Sequence, residues 1–346
     1  MRRIWIPSLM AFSAAGCATT APRVVLAPAP TVQARAETAA VATRNADAAD
    51  DPAIWRNPRD PAASLIVATD KRAGLHVYGL GGPSRGFAPA GRVNNVDLRD
   101  MGAAGIIVAA SDRNDPLAAK VALYRLDPAT AQLTALATLS AGAGEAYGIC
   151  LYRAGDQLFA FNVLKDGTIR QMALDLTGAV PSGRIVRTMK LATQSEGCVV
   201  DERTHRLYVG EEDVGVWRFD ARPDGATAPV QVLATDTSRL IADVEGLALA
   251  KVGDSDGGYL IVSSQGDNAY TAIRLSDDAY VGRFRVAAGR VGSTEETDGL
   301  EVMTGDFGPG FPAGLMVVQD GMNAPAAQNF KLVGWEDVAA VLHLPR

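Results

Sequence analysis

The sequence predicts an all-β chain folded as a six-bladed β-propeller, on three observations. From residue 50 onward it is a succession of short apolar or alternating runs cut by Gly, Asp, Asn and Pro. One type of run recurs six times, ending at Leu80, Leu126, Leu174, Phe219, Leu275 and near Val333. Helical spacing is rare, with its best instance near the C-terminus. A period on the order of 40–50 residues with several strands per repeat is the mark of a propeller. A pair of β-sandwiches leaves the repeat unexplained, and a parallel α/β sheet needs helices that are not there.

In chain order the runs are SLIVAT, GLHVYGL, AGIIVAAS, KVALYRL, QLFAFNV, TIRQMAL, RLYVG, GVWRFD, YLIVSS and GLMVVQD. Most are rich in Val, Ile, Leu and Tyr and are of strand length. WEDVAAVLHL is the best helix candidate. The 346 residues are 48% hydrophobic and 21% charged, which is enough apolar mass for a large core. A net charge of −6 argues against a nucleic-acid partner. Three Cys exclude a disulfide-stapled mini-domain, and three His (His76, His205, His343) argue against a His-rich zinc site.

The N-terminus reads as an address. Arg2 and Arg3 precede a short apolar stretch, and small residues lead to Cys17. This is the layout of an export signal, too short to span a bilayer. The AAGC ending resembles a bacterial lipobox with Cys17 as the lipidated residue, although Leu is commoner where Ala14 stands. Ordinary cleavage to a soluble periplasmic or secreted protein is the alternative. The expected organisation is a signal over residues 1–17, a flexible Ala/Pro-rich tether over 18–46 and the propeller over 47–346, with any membrane attachment through the lipid alone. Cys150 and Cys198 each lie in an apolar run; a disulfide and two buried thiols both remain open.

Acidic residues cluster at strand ends: Asp47, Asp50 and Asp51; Glu196; Glu211, Glu212 and Asp213; Asp243 and Glu245; Glu295, Glu296 and Asp298. Several sit beside a Gly, where backbone can approach a ligand closely. Taken singly, each cluster reads as solvated loop acids. Their recurrence at blade-like intervals favours convergence on one end of the central channel. Converging carboxylates need a compensating cation, and oxygen donors in such number suit Ca²⁺ first and Mg²⁺ second. Lys71, Arg72, Arg113 and Lys165 also stand near strand ends, where they could bind anionic oxygens. A metal with Arg and Lys in one cavity is the equipment for phosphoryl transfer to water. The sequence carries no R-H-G-x-R-x-P, no C-x5-R, no G-x-S-x-G and no Walker A motif.

The ordered set DDPAIW, K-x-x-G-L-x-V-Y, NNVDLR, EAYG, QSEG, RLYVGEED, VWRF, DVEGL, SSQG, TDGLEV, VVQDG and QNFKLVGW closely resembles the β-propeller phytases, calcium-dependent alkaline enzymes of bacteria. The likeness runs from about Asp47 to Trp335. It implies a six-bladed propeller that removes phosphate from myo-inositol hexakisphosphate, or from its calcium complex, using several Ca²⁺ ions and a bridging water, with no covalent phosphoenzyme. It implies that Asp50, Asp51, Tyr147, Glu196, Glu212, Asp243, Glu245 and Asp298 hold the catalytic calcium ions, with Glu211 sharing that work. Lys71, Arg72, Arg113 and Lys165 would bind substrate phosphates, and Asn95 and Asp97 would form a polar pair at the same mouth. Two departures stand out. Lys71-Arg72 replaces the usual Lys-Lys, and the segment GRVGSTEETDG around Asp298 carries fewer Asp than usual, so a calcium ligand would be missing or replaced by Glu295 or Glu296. A monomer is expected. The rivals are a calcium propeller hydrolase of lactones or phosphotriesters, and a non-catalytic surface binding propeller.

Overall fold

The computed structural model describes residues 28–345. They form six small antiparallel sheets set in a ring, as the repeat predicts. Blade 1 has strands Ala49–Trp55, Leu65–Asp70, Gly74–Gly79 and Ser84–Pro89. Blade 2 has Val93–Asp100, Ile106–Asp112, Ala118–Asp127 and Gln132–Ala143. Blade 3 has Ala146–Ala154, Gln157–Leu164, Thr168–Asp175 and Ser182–Lys190. Blade 4 has Ser195–Asp201, Arg206–Glu211, Gly215–Asp220 and Val230–Ala234. Blade 5 has Val244–Lys251, Gly258–Ser264, Ala269–Arg274 and Tyr280–Ala287. Blade 6 has Leu300–Thr304, Gly314–Asp320 and Asn329–Gly334. The recurring run of the sequence is the third strand of each blade. Its terminal apolar residues, Leu80 to Val333, are all buried. The helix forms over Trp335–Val341.

The first strands of the blades touch one another in ring order and line the channel. Between each pair of blades lies one apolar cluster, so six interfaces share the core. Blade 6 brings only three strands of its own. Ala36–Glu37 supplies the fourth, pairing Ala36 with Leu332 and Glu37 with Lys331, and so closes the ring. Thr31–Gln33 adds a parallel edge strand to blade 5, with Thr31 opposite Arg285. This corrects the expected tether: from Thr31 on, this segment is part of the propeller. Strands of two and three residues leave no periodicity to read, yet they cover the last long strands of two blades and leave only short outer edges. Residues 18–27 of that stretch, the signal and Cys17 lie outside the described residues.

Candidate active site

At one end of the channel every blade contributes, and blades 1 to 5 contribute twice. The first contribution comes from the start of its first strand: Asp50 and Asp51, Asn94 and Asn95, Tyr147, Glu196, Glu245, and Asp298 just ahead of Leu300. In blades 1 to 5 these residues sit where the pairing register slips, between Ala49 and Pro52, Val93 and Val96, Ala146 and Gly148, Ser195 and Cys198, and Val244 and Leu247. A β-bulge adds an unpaired residue and re-aims its side chain. The second contribution is the residue directly after the second strand: Lys71, Arg113, Lys165, Glu212 and Gln265 in blades 1 to 5. The outer positions are therefore cationic on blades 1 to 3, and acidic or polar on blades 4 and 5.

Glu196, Glu212 and Glu245 are buried, and their carboxylate oxygens can be chosen within 4.8 Å of one another. Both oxygens of Asp50 and Oε2 of Glu245 are buried without a hydrogen-bond partner. Burial first, and neighbouring carboxylates second, raise the carboxyls of Asp50, Asp51 and Glu245 well above their ordinary range and push Glu196 up to about 8. Asp298, Glu212 and Asp243 are raised chiefly by burial. This all-oxygen donor set, with orphaned carboxylate atoms, fits a hard divalent cation.

Lys71 reaches into this cluster, with Nζ 2.6 Å from Asp298 Oδ2, 2.9 Å from Asp47 Oδ2 and 3.4 Å from Asp50 Oδ2. Burial alone would lower its ammonium pKa, but Asp50, Asp298, Glu196 and Asp47 outweigh burial and raise it. Arg113 Nε donates to Glu145 Oε1 at 3.0 Å, and the same guanidinium bonds Asn94 Oδ1. Arg113 and Lys165 each lie 5.1 Å from the centre of the Tyr147 ring, which places the tyrosine between the cations and the carboxylates. Arg72 is exposed, and its Nε donates to the Asp47 carbonyl at 3.1 Å.

Glu211 and Asp97 stand differently from expectation. Glu211 accepts hydrogen bonds from Thr193 N and Oγ1 and from Trp217 Nε1, so its carboxylate braces the blade instead of joining the cluster. Asp97 is not at the mouth. It lies one layer down the channel, accepting from Arg99 Nη1 at 2.6 Å and Leu151 N at 2.8 Å. Its partner Asn95 is at the mouth and, with its amide turned to donate, reaches Glu196 Oε1 and the Tyr147 carbonyl, each at 3.0 Å. Glu295 and Glu296 are exposed and border a cleft with Asp47, Gln265 and Asp298.

Sequence reasoning missed the amides. Asn94 Nδ2 donates to Glu196 Oε1 at 2.8 Å, Gln265 Nε2 to Asp298 Oδ1 at 2.7 Å, and Gln194 Nε2 to both oxygens of Glu212 at 2.7 Å. They hold three carboxylates in place, but an uncharged amide in a loop carries no signal of that duty. The disulfide, left open by the sequence, is formed: Cys150 on blade 3 joins Cys198 on blade 4. The histidines stay outside the mouth. His76 packs on Tyr78 and Phe87, His205 bonds the Tyr152 hydroxyl, and His343 follows the helix.

The fold and site together define a six-bladed propeller with a buried carboxylate cluster, able to hold a metal ion, facing a cationic rim. A family model described as Phytase matches residues 5–344, and the chain belongs to that family. The 3-phytase of Bacillus subtilis (strain 168) is 35% identical over 325 residues, 89% of this chain and 84% of that protein. Among solved structures, the PQQ-bound aldose sugar dehydrogenase of Streptomyces coelicolor gives a TM-score of 0.53 at 12% identity, covering 88% of this chain and 99% of that one. A chain of a mitotic checkpoint complex gives 0.50 at 15% identity, covering 95% and 86%. At such identities the likeness is one of fold.

Proposed function

We propose that this chain is a calcium-dependent phosphatase that removes phosphate from myo-inositol hexakisphosphate (phytate) by attack of water. The observation that carries the reading is the division of the mouth, with Lys71, Arg113 and Lys165 on blades 1 to 3 and Glu196, Glu212 and Glu245 on blades 4 and 5. Asp50, Asp51, Glu196, Glu212, Asp243, Glu245 and Asp298, with Tyr147 among them, would hold calcium. Bound there, calcium supplies positive charge to phosphoryl oxygens and makes water more acidic. The chain's own cations do the rest of the electrostatic work. Lys71, Arg72, Arg113 and Lys165 bind phosphate oxygens and spread the charge that builds on them. Asn94, Asn95 and Gln265 fix the carboxylates they bond. No histidine stands at the mouth to take the phosphoryl group, in keeping with direct attack by water. A panel of phytate, a lactone and a phosphotriester tests the reading: phosphate release from phytate supports it, and turnover of the lactone or phosphotriester alone would overturn it.

Export fits the same picture. A disulfide persists in oxidising compartments, and the start of the chain has the charge and apolar order of a secretion signal. We place the enzyme in the periplasm or on the outer membrane, with a lipid on Cys17. Incorporation of labelled fatty acid, lost in Cys17→Ser, checks the anchor. One chain supplies all six blades and the whole mouth, which supports a monomer as the working unit.

A further inference from the structure

Six junctions close the ring, and five of them are tied near the mouth by a hydrogen bond to a main-chain atom. Val96 N donates to Asp51 Oδ2 at 3.0 Å between blades 1 and 2, and Ser111 Oγ to the Tyr147 carbonyl at 2.5 Å between blades 2 and 3. Val244 N donates to the Glu212 carbonyl at 2.9 Å between blades 4 and 5. Gly246 N donates to the Asp298 carbonyl at 2.8 Å between blades 5 and 6, and Gly299 N to the Asp50 carbonyl at 3.0 Å between blades 6 and 1. Among the described residues, no such bond joins the first strand of blade 4 to blade 3 near the mouth. The first strands of these two blades are linked through a main-chain N–H at their far ends, by Arg153 N to Glu202 Oε1 at 3.0 Å.

The disulfide stands at this junction. Cys150 follows Tyr147 by three residues and Cys198 follows Glu196 by two, so the bond lies within about 10 Å of strand from both site residues. The two Cα atoms are 5.7 Å apart. Cys150 is buried in the apolar cluster between the two blades. Cys198 is half-buried and lines the cavity of the channel behind the mouth.

We propose that the Cys150–Cys198 disulfide is a positioning element for the reaction, holding Tyr147 against Glu196 where the other five junctions use hydrogen bonds. This rests on the phytase reading above. Without the crosslink the two first strands meet on the mouth side by side-chain contacts and by Gly148 against the Glu196 carbonyl, contacts that let strands slide more than a covalent bond does. Glu196 belongs to the carboxylate triad, and Tyr147 stands between that triad and the cations Arg113 and Lys165. A shift of one strand past the other therefore misaligns the carboxylates against the phosphate they act on.

Dithiothreitol tests this on the whole folded protein. The dithiol gives two electrons and two protons to the Cys150–Cys198 bond, leaving two thiols and its own cyclic disulfide, and it reaches Cys198 through the channel cavity. Oxidised, reduced and reoxidised protein are compared below the Tm of each, by calcium titration calorimetry and by steady-state kinetics on phytate. The double variant Cys150→Ala, Cys198→Ala repeats the comparison without a thiol. Reduction should lower kcat about tenfold and weaken calcium binding about tenfold, with KM within about twofold because Lys71 and Arg113 keep their places. Reoxidation should restore both values, and the double variant should match the reduced form and ignore the dithiol. A lower Tm with kcat and calcium affinity unchanged makes the disulfide structural alone and overturns the proposal, as does a rise in KM alone. If the oxidised protein releases no phosphate from phytate, the phytase reading falls and takes this proposal with it. If it does and reduction is indifferent, only the positioning role of the disulfide falls.

Discussion

A β-carbon on Gly148 would overlap the main-chain carbonyl of Glu196 on the next blade. The relationship recurs around the ring: Gly197 packs on the Glu245 carbonyl, and Gly246 on that of Asp298. The residue ahead of each glycine is a site residue, Tyr147, Glu196 and Glu245 in turn. The glycines therefore allow the first strands to close together, and the closeness sets the spacing of the carboxylates. The sequence suggested approach to a ligand at these positions; the structure shows approach to the neighbouring blade.

Gly148→Ala and Gly197→Ala should thus act at a distance from their own side chains. Each should cost about 1–3 kcal/mol of stability, as overpacking does, and should lower phosphate release by spreading the carboxylates. Thermal unfolding and phosphate release, measured side by side, check this. Full activity with an unchanged Tm would show that the strands part without consequence.

The adjacent pair Glu211 and Glu212 separates bracing from the proposed metal binding. Glu212→Gln should remove most turnover, because a neutral amide cannot balance a cation beside Glu196 and Glu245. Glu211→Gln should lower Tm, because one of its oxygens becomes a donor facing Thr193 or Trp217, yet leave kcat largely intact. Loss of turnover from Glu211→Gln in folded protein would return that residue to the metal centre.

The carboxylates also set a pH dependence. Glu196 binds its proton more tightly folded, at about 8, than at its ordinary 4.5, and Asp50, Asp51 and Glu245 shift the same way. For Glu196 the contribution to stability is full below about 4.5 and is lost as pH rises towards about 8, and the raised carboxyls of Asp50, Asp51 and Glu245 act in the same direction. In EGTA, Tm should fall over that interval, and added calcium should flatten the fall, because the cation favours the ionised form. A metal-free Tm that climbs over the same range contradicts this account.

Lys331 is fully buried, with Nζ 2.6 Å from Glu37 Oε2 and 3.0 Å from Asp320 Oδ2, so it ties the closing strand to blade 6. Lys331→Met leaves a buried carboxylate without its cation and should cost about 3–5 kcal/mol. Denaturant unfolding reads the loss; a variant as stable as the parent would mean that the pair does not hold the closure.

Much of this was legible beforehand. The third strands announce themselves because each carries a run of apolar residues into two blade interfaces. Asp50, Glu196, Glu245 and Asp298 were legible as charges at strand ends. The closing strands were not, since two residues at Ala36 and Glu37 cannot show a period. Neither were the register slips that aim Tyr147 and Glu196 inward, because a bulge depends on the partner strand. That Glu211 does not share the work of Glu212 was not legible either, because adjacent carboxylates at a strand end face different ways and only the fold shows which of them faces the mouth.

The central claim is that the carboxylate cluster works by holding calcium against a phosphate bound on the cationic rim. Phosphate release from phytate by the purified protein, in calcium, in excess EGTA and after calcium is restored, tests it most directly. We expect release in calcium, none in EGTA and recovery on restoration. Release that persists undiminished in EGTA, or none from folded protein with calcium present, would contradict it.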